Sequence, residues 1–296
     1  MRFGIIGNTS KDVLGKVGRD LFAFLAKRKI PFVVDEVLAK WFASHHRGVR
    51  IPAKSICTTS RLPRSCDVLI ALGGDGTMLA ASRIVGNTEI PILGVNLGKL
   101  GFLAEFSTKE MQGCILDILR GDYLVENRMV LEAKSLSDNH VFHGLNDIVI
   151  DKGGSMRVIE IETKVNDEYL VTYQADGIIV STPTGSTAYS LAGGGPIVVP
   201  EANVMMINPI APHTLTARAV IVPNTCVISV TANAESHHVH ITADGQLQKR
   251  YATPAQFEIR QAKYTTRLIK RKKESYYDVL RAKLLWGRDI RLTLSR

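Results

Sequence analysis

The chain has 296 residues, is 45% hydrophobic, and carries 37 lysines and arginines against 28 acids, a formal net charge of +9. This is ordinary globular composition, which excludes a disordered, collagen-like or coiled-coil chain and leaves room for two domains. No apolar stretch approaches the ~20 residues of a bilayer-spanning helix.

Residues 2–7 form a short apolar run, consistent with a buried strand. Polar Asn8, Thr9, Ser10 and Lys11 follow too soon for a signal peptide, so the expected location is the cytoplasm. Val17, Leu21, Phe24 and Leu25 recur at helical spacing, and residues 31–35 read as a second strand. Residues 67–72 are a third strand that stops at Gly73 and Gly74, and residues 90–95 are a fourth. Ser107 and Glu110 stand at capping-box spacing, with Ile115, Leu116 and Leu119 behind them and Gly121 as a stop. Strand-helix alternation of this kind predicts a parallel sheet covered by helices.

After about Val125 the period changes to two, in residues 158–165, 225–231, 238–242, 257–260 and 266–270. This half is expected to be mostly antiparallel, a sandwich or stacked sheets. Tyr277, Leu280 and Leu284 return to helical spacing. The fold class expected is therefore α/β plus α+β. Residues 1–125 form a Rossmann-like domain and 126–273 a β-rich domain, and the helical segment 274–296 packs back on the first.

Three loops carry chemistry. Gly73, Gly74, Asp75, Gly76 and Thr77 lie between a buried strand and a helix, where open α/β sheets bind ligands. Glycines there allow a tight turn and let phosphate approach backbone N–H groups, with the helix start adding positive potential. A lone acid in such a nest needs a reason: it holds Mg²⁺ or takes a proton from an attacking hydroxyl. The second loop, residues 175–196, has six serines and threonines among the ten residues from Ser181 to Ser190, suited to ribose and base edges. The third is Asn146-Asp147 before an apolar strand, suited to a sugar diol.

Other features read as structural. Cys57, Cys66, Cys114 and Cys226 form no CxxC pair, so reduced, mostly buried thiols are expected. His238 and His240 share a strand face, but neither they nor His237 have an evident further ligand, and no metal ligand is assigned. His213 follows Pro212 and is read first as a turn residue. Lys270, Arg271, Lys272 and Lys273 are read as a solvated basic surface. Positive charge suits a nucleotide or a nucleic acid, yet no RNA-binding aromatic motif, zinc finger or helix-turn-helix is present, so neither nucleic acid nor membrane is an expected partner. The P-loop signature and the dehydrogenase G-x-G-x-x-G are both absent.

With these loops in view, the chain resembles the NAD kinase family. The family's Gly-Gly-Asp-Gly-Thr motif is matched by residues 73–77, and its Asn-Gly-Phe-Leu neighbourhood by residues 96–103. Its Asn-acidic pair is matched by Asn146-Asp147, where many members carry Glu second. The long Thr-Pro-Thr-Gly-Ser-Thr-Ala-Tyr segment is complete within residues 176–189, and residues 208–215 and 244–246 match two more segments. The first motif alone also fits lipid kinases and phosphofructokinases; the combination is specific.

The resemblance implies phosphoryl transfer from ATP to the 2′-hydroxyl of the adenosine ribose of NAD. It also implies Mg²⁺ or another divalent cation, a cytoplasmic homo-oligomer (dimer or tetramer), and a site in a cleft between an α/β and a β-rich domain. By the same resemblance Asp75 is the catalytic carboxylate, and Gly74 and Gly76 bring amides to phosphate. Asn146, Asp147 and Asp176 hold NAD. Thr187, Ala188, Tyr189, Ser190, Leu191 and Ala192 line the dinucleotide, and Arg157, Ala211 and Gln246 complete the contacts. The rival readings are an NAD-dependent oxidoreductase, a diacylglycerol- or sugar-kinase-like phosphotransferase, and a non-catalytic NAD sensor on the same fold.

Overall fold

The computed structural model describes residues 1–46, 48–49, 51–98, 101–271 and 275–286. Lys99 and Leu100 of the 96–103 segment, Lys272 and Lys273 of the basic run, and Glu274 and residues 287–296 of the C-terminal segment lie outside the described residues. Contacts divide the chain into two units, Met1–Glu126 with Arg267–Arg296, and Asn127–Thr266.

The first unit alternates strand and helix as its apolar runs predict. In chain order it holds β1 (Phe3–Gly7), α1 (Val13–Lys27), β2 (Phe32–Asp35), α2 (Glu36–His45), β3 (Ile56–Cys57), β4 (Val68–Gly73), α3 (Asp75–Val85), β5 (Ile92–Asn96), β6 (Phe106–Ser107) and α4 (Met111–Leu119). The strands pair in parallel in the order β3-β2-β1-β4-β5, with β6 against β5. Every residue of β4 and of β5 is buried, the pattern of strands covered on both faces. The strand order reverses between β1 and β4, so the loops leaving these two strands flank the crevice where such sheets take ligands. Phe3, Ile5, Leu14, Leu21, Phe42, Ile70 and Leu72 head the core beside this sheet.

Helix α2 has a signal that the strand-helix reading passes over: the side chain of Asp35 caps it by accepting from the Val37 N–H at 3.1 Å. Ser107 and Glu110 do meet, with the Ser107 N–H donating to the Glu110 carboxylate at 2.9 Å. The contact closes the turn before α4 rather than its first turn, because the Ser107 carbonyl already accepts from the Glu110 N–H and the helix begins at Met111.

The second unit begins inside β7 (Leu124–Ser135) and continues through β8 (Val141–Gly144), β9 (Asp147–Asp151), β10 (Ile159–Val165), β11 (Glu168–Ala175), β12 (Gly177–Ser181), the short helix α5 (Tyr189–Ala192), β13 (Val204–Ile210), β14 (Val220–Pro223), β15 (Ile228–Asn233), β16 (His238–Ala243), β17 (Leu247–Ala252) and β18 (Ala255–Lys270). One antiparallel sheet runs β14-β13-β12-β9-β16-β17. The other pairs β11, β10, β15 and the start of β18, and β7 and β8 form a hairpin. Ile148, Ile150, Ile178, Val180 and Ile241 of the first sheet share one core with Ile161, Tyr173, Val230 and Phe257 of the second, as in a sandwich.

The end of β18 belongs to the first unit, where Leu268 pairs in parallel with Ile92. Helix α6 (Tyr276–Leu284) follows, capped by a complete Ser275–Asp278 capping box and burying Val279 and Leu280. Lys270 and Arg271 are not the solvated surface expected from a basic run. The Lys270 ammonium pairs with Glu105 and, at 3.2 Å, with Glu126, and Arg271 pairs with Glu110 at 2.6 Å. Acids far away in sequence neutralise them, and composition alone cannot show this. Cys66, Cys114 and Cys226 are buried and Cys57 is half-buried, and burial pushes the Cys66 and Cys114 thiols up to about 12.

Candidate functional site

In the first unit, β4 delivers the chain to Gly74, which has an extended backbone and begins α3 with Asp75 in its first turn. None of Gly73, Gly74 and Gly76 has a positive φ, so the loop does not need glycine for its dihedral angles. Close approach is the reason at Gly73, where a side chain would start 2.6 Å from the Thr77 Cβ. At Gly74 nothing lies within 4 Å of the corresponding position, which leaves its backbone open to a ligand at the helix N-terminus.

Asp75 does not point into free space. Its Oδ1 accepts the N–H groups of Leu103 at 3.0 Å and Ala104 at 3.2 Å, and its Oδ2 accepts that of Phe102 at 2.9 Å. A carboxylate offers about four lone-pair sites, so these bonds leave one, on Oδ2. Gly101 backs the carboxylate so closely that a Cβ there would stand 2.6 Å from Cγ and 2.8 Å from Oδ2 of Asp75. Charge-assisted bonds to three successive amides fix the orientation of the acid.

The second unit repeats this device. The hairpin between β16 and β17 turns through consecutive left-handed residues, Asp244 at φ 54° and Gly245 at φ 63°. This aims the Asp244 carboxylate at the start of β9, where Leu145, Asn146 and Asp147 donate their N–H groups at 2.9, 2.7 and 3.2 Å. Asn146, Asp147, Ala188 and Tyr189 lie around a cavity of about 330 Å³, with Val149, Asp151, Thr242, Asp244 and Gly245 completing its wall. The Asp147 residue is 4% exposed, and its carboxyl meets no hydrogen-bond donor among the described residues. Burial, then the nearby Asp244 carboxylate, pushes its pKa up to about 7. Tyr189 is 47% exposed, so its ring is free to stack rather than being consumed by the core.

The hydroxyl-rich loop departs from expectation in detail. Ser181, Thr182, Thr184 and Ser186 are buried. Thr182 Oγ1 donates to the Leu145 carbonyl at 2.6 Å, Ser181 to that of Asn146 at 3.1 Å, and Ser186 to that of Pro183 at 2.7 Å. The first two hydroxyls knit the loop to the Asn146 turn and the third closes the loop on itself, because a buried hydroxyl without a partner is costly. Thr187, Ala188 and Leu191 are partly exposed and Ala192 exposed, whereas Ser190 is fully buried with its carbonyl accepting from Asn208 at 3.0 Å.

Arg157 and Asp176 line a different, larger cavity of about 880 Å³, with Lys152, Glu160, Gln174, His213 and Glu235 among its walls. There Lys152 pairs with Asp176 at 2.6 Å and Arg157 pairs with Glu235. Ala211 is exposed in a left-handed conformation, φ 43°, and Gln246 is exposed on the same hairpin as Asp244. His238 and His240 bond Arg250 and Gln248. No group of three or more His, Cys, Asp or Glu placed to hold a metal ion occurs among the described residues. Sequence reasoning missed Asp244, Asp151 and Gly101 as site residues. Asp244 and Gly101 stand inside segments already matched, and that was their only signal.

Comparisons with known proteins identify the family. The profile of the ATP-NAD kinase N-terminal domain matches residues 3–123, and that of the ATP-NAD kinase C-terminal domain matches residues 145–271. The NAD kinase of Geotalea daltonii is 39% identical over 92% of this chain and 93% of its own. That of Bacteroides fragilis is 38% identical over 99% of this chain and 100% of its own. Among solved structures, yeast NADH kinase complexed with NADH aligns at a TM-score of 0.87 and 24% identity, covering 99% of this chain and 89% of that one. An NAD kinase from Archaeoglobus fulgidus in complex with ATP aligns at 0.74 and 21% identity, covering 96% and 99%. At these identities the two structures speak for the fold.

Proposed function

The chain belongs to the NAD kinase family, and on that premise we propose that it transfers the terminal phosphoryl group of ATP to the 2′-hydroxyl of the adenosine ribose of NAD, giving NADP. A ribose hydroxyl is a weak nucleophile at neutral pH, so a carboxylate that accepts its proton lowers the barrier. Asp75 is assigned that role. The observation that carries the assignment is its carboxylate, held at the start of α3 by three amide donors with one Oδ2 lone pair left over.

Asn146 and Asp147 are assigned to a ribose, supported by a buried carboxyl that meets no donor among the described residues and faces a cavity shared with Tyr189. Thr187, Ala188, Leu191 and Ala192, with Ser190 behind them, are assigned to the dinucleotide, as are Arg157, Asp176, Ala211 and Gln246. Gly74 and Gly76 are assigned to phosphate at the helix N-terminus. Mg²⁺ enters as the ATP complex, chelated by the triphosphate, and is part of the substrate. The protein is proposed to work in the cytoplasm as a homo-oligomer, a dimer or tetramer. In the described residues no helix is long and apolar enough to cross a membrane.

Two-domain matches at 38–39% identity disfavour a lipid- or sugar-kinase reading, and an intact Asp75 disfavours a non-catalytic sensor. The test is direct. Purified protein is incubated with ATP, Mg²⁺ and NAD, and NADP is detected with a dehydrogenase that accepts only NADP. Absence of product with every phosphoryl donor tried rejects the proposal.

A further inference from the structure

We propose that the buried ion pair between Glu105 and Lys270 positions Asp75, by clamping the three amides that hold its carboxylate. The catalytic half of this statement rests on the reading of Asp75 as the base; the mechanical half does not.

The donors to Asp75 are the N–H groups of Phe102, Leu103 and Ala104, and Glu105 is the next residue in the chain. Leu103 and Ala104 are buried, and Glu105 is 4% exposed. A carboxylate so deeply buried is tolerated only when paired. Its partner is the Lys270 ammonium at the end of β18, which also meets Glu126 at 3.2 Å. The backbone of Glu105 is seized as well: its carbonyl accepts from Arg271 at 2.6 Å, while Arg271 pairs with Glu110 and its guanidinium lies 5.6 Å from the centre of the Phe106 ring. On the other side the Ala104 carbonyl accepts from Asn96 Nδ2 at 3.4 Å. Two consecutive basic residues, 165 and 166 positions away in sequence, thus grip the side chain and the carbonyl of the residue beside the amide cradle. All of these groups lie in the first unit.

The chemistry follows from the geometry. Phosphoryl acceptance requires the Asp75 Oδ2 lone pair to meet a hydroxyl at hydrogen-bond range, and errors of about 1 Å cost up to ~100-fold in rate. The contacts of Glu105 run to Lys270 and Arg271 and not to Asp75, so its effect passes through the 102–104 backbone.

The experiment compares Glu105→Gln, Lys270→Met and Lys270→Arg with the wild type. Glu105→Gln leaves Lys270 its contact with Glu126. We expect Glu105→Gln and Lys270→Met to lower kcat ~10-fold or more while KM for NAD moves less than ~2-fold, and Lys270→Arg to restore most of the turnover. In an Asp75→Asn background the Glu105→Gln change should have no further effect on kcat, since the group it positions is gone. Hydrogen exchange read by mass spectrometry supplies the measurement that needs no activity: amides 102–104 should exchange ~10-fold faster in Glu105→Gln, with the rest of the protein unchanged.

Wild-type kcat in Glu105→Gln, or an equal loss in the Asp75→Asn background, overturns the catalytic claim while leaving the kinase reading intact. Unchanged protection of amides 102–104 overturns the mechanical claim. A wild-type protein that makes no NADP sinks the kinase reading, and exchange alone then decides whether the clamp exists. If a single variant fails to fold, the Glu105→Gln/Lys270→Met pair removes both charges together and is held to the same outcomes.

Discussion

Replacing Gly101 with alanine adds one methyl group where the structure leaves no room for it. The new carbon would stand 2.6 Å from Asp75 Cγ and 2.8 Å from Oδ2. Carbon atoms pack comfortably at roughly 3.5–4.0 Å, so the carboxyl group and the methyl must separate by about 1 Å. Asp75 cannot swing aside freely, because its oxygens are bound by the amides of Phe102, Leu103 and Ala104. Either those charge-assisted bonds break or the 101–104 backbone retreats with them. A displacement of this size at a reacting group lowers kcat by about 100-fold, roughly 2.7 kcal/mol of barrier. Gly113, exposed in α4 with nothing within 4 Å of a would-be Cβ, is the control. The same methyl there should leave kcat unchanged and raise stability by about 0.5–1 kcal/mol. The assay is steady-state NADP formation from ATP and NAD, with circular dichroism to confirm folding. Wild-type turnover in folded Gly101→Ala would refute the placement of Asp75 as the group whose position sets the rate.

Further outcomes follow from the same contacts. Asp75→Asn should keep NAD binding and lose ~100-fold or more in kcat, because an amide has no basic oxygen to spare and turns an NH₂ toward a backbone donor; calorimetry and turnover together check it. Asp244→Ala removes the acceptor of three N–H groups at Leu145, Asn146 and Asp147. It should raise KM for NAD by about 10-fold, more than it lowers kcat. Asp147 has a folded-state pKa pushed up to about 7 from an ordinary value of 3.8. The stability conferred by its neutral form is therefore complete below the unfolded value and lost as pH climbs through about 7. Urea titrations from pH 4 to 8 should show the wild type losing stability relative to Asp147→Asn across that window, and parallel curves would contradict the burial of the carboxyl. Tyr189→Phe should bind NAD nearly as the wild type does, and Tyr189→Ala about 10-fold more weakly, if the exposed ring stacks on a base.

Much of the architecture was legible because the physics is local. The buried strands β1, β4 and β5 must be continuous apolar runs, and the period-two stretches of β10, β15 and β16 must alternate to serve a one-sided core. The Gly-Gly-Asp-Gly loop was legible for the same reason, since its place after β4 is set by neighbours in sequence. What escaped was non-local. Lys270 and Arg271 read as solvated charge because their partners, Glu105, Glu126 and Glu110, stand more than 140 residues away. The hydroxyls of Ser181, Thr182 and Ser186 read as part of a binding loop because composition does not say whether a backbone carbonyl already occupies them. The aiming of Asp75 and Asp244 was hidden for a further reason: peptide groups do it, and those have no letter in the sequence.

Membership of the first unit by residues from both ends of the chain matters to a ribosome. Leu268 and Ile269 join its core and Lys270 its ion pairs, yet all three are translated after the whole of Asn127–Thr266. During synthesis the nascent α/β sheet must wait, with the Ile92 edge and the Glu105 carboxylate uncovered, while some 140 later residues emerge. The inserted unit is contiguous and is free to fold first. The loop that carries Asp75 is thus among the earliest parts made, while the contacts that complete its unit are among the last.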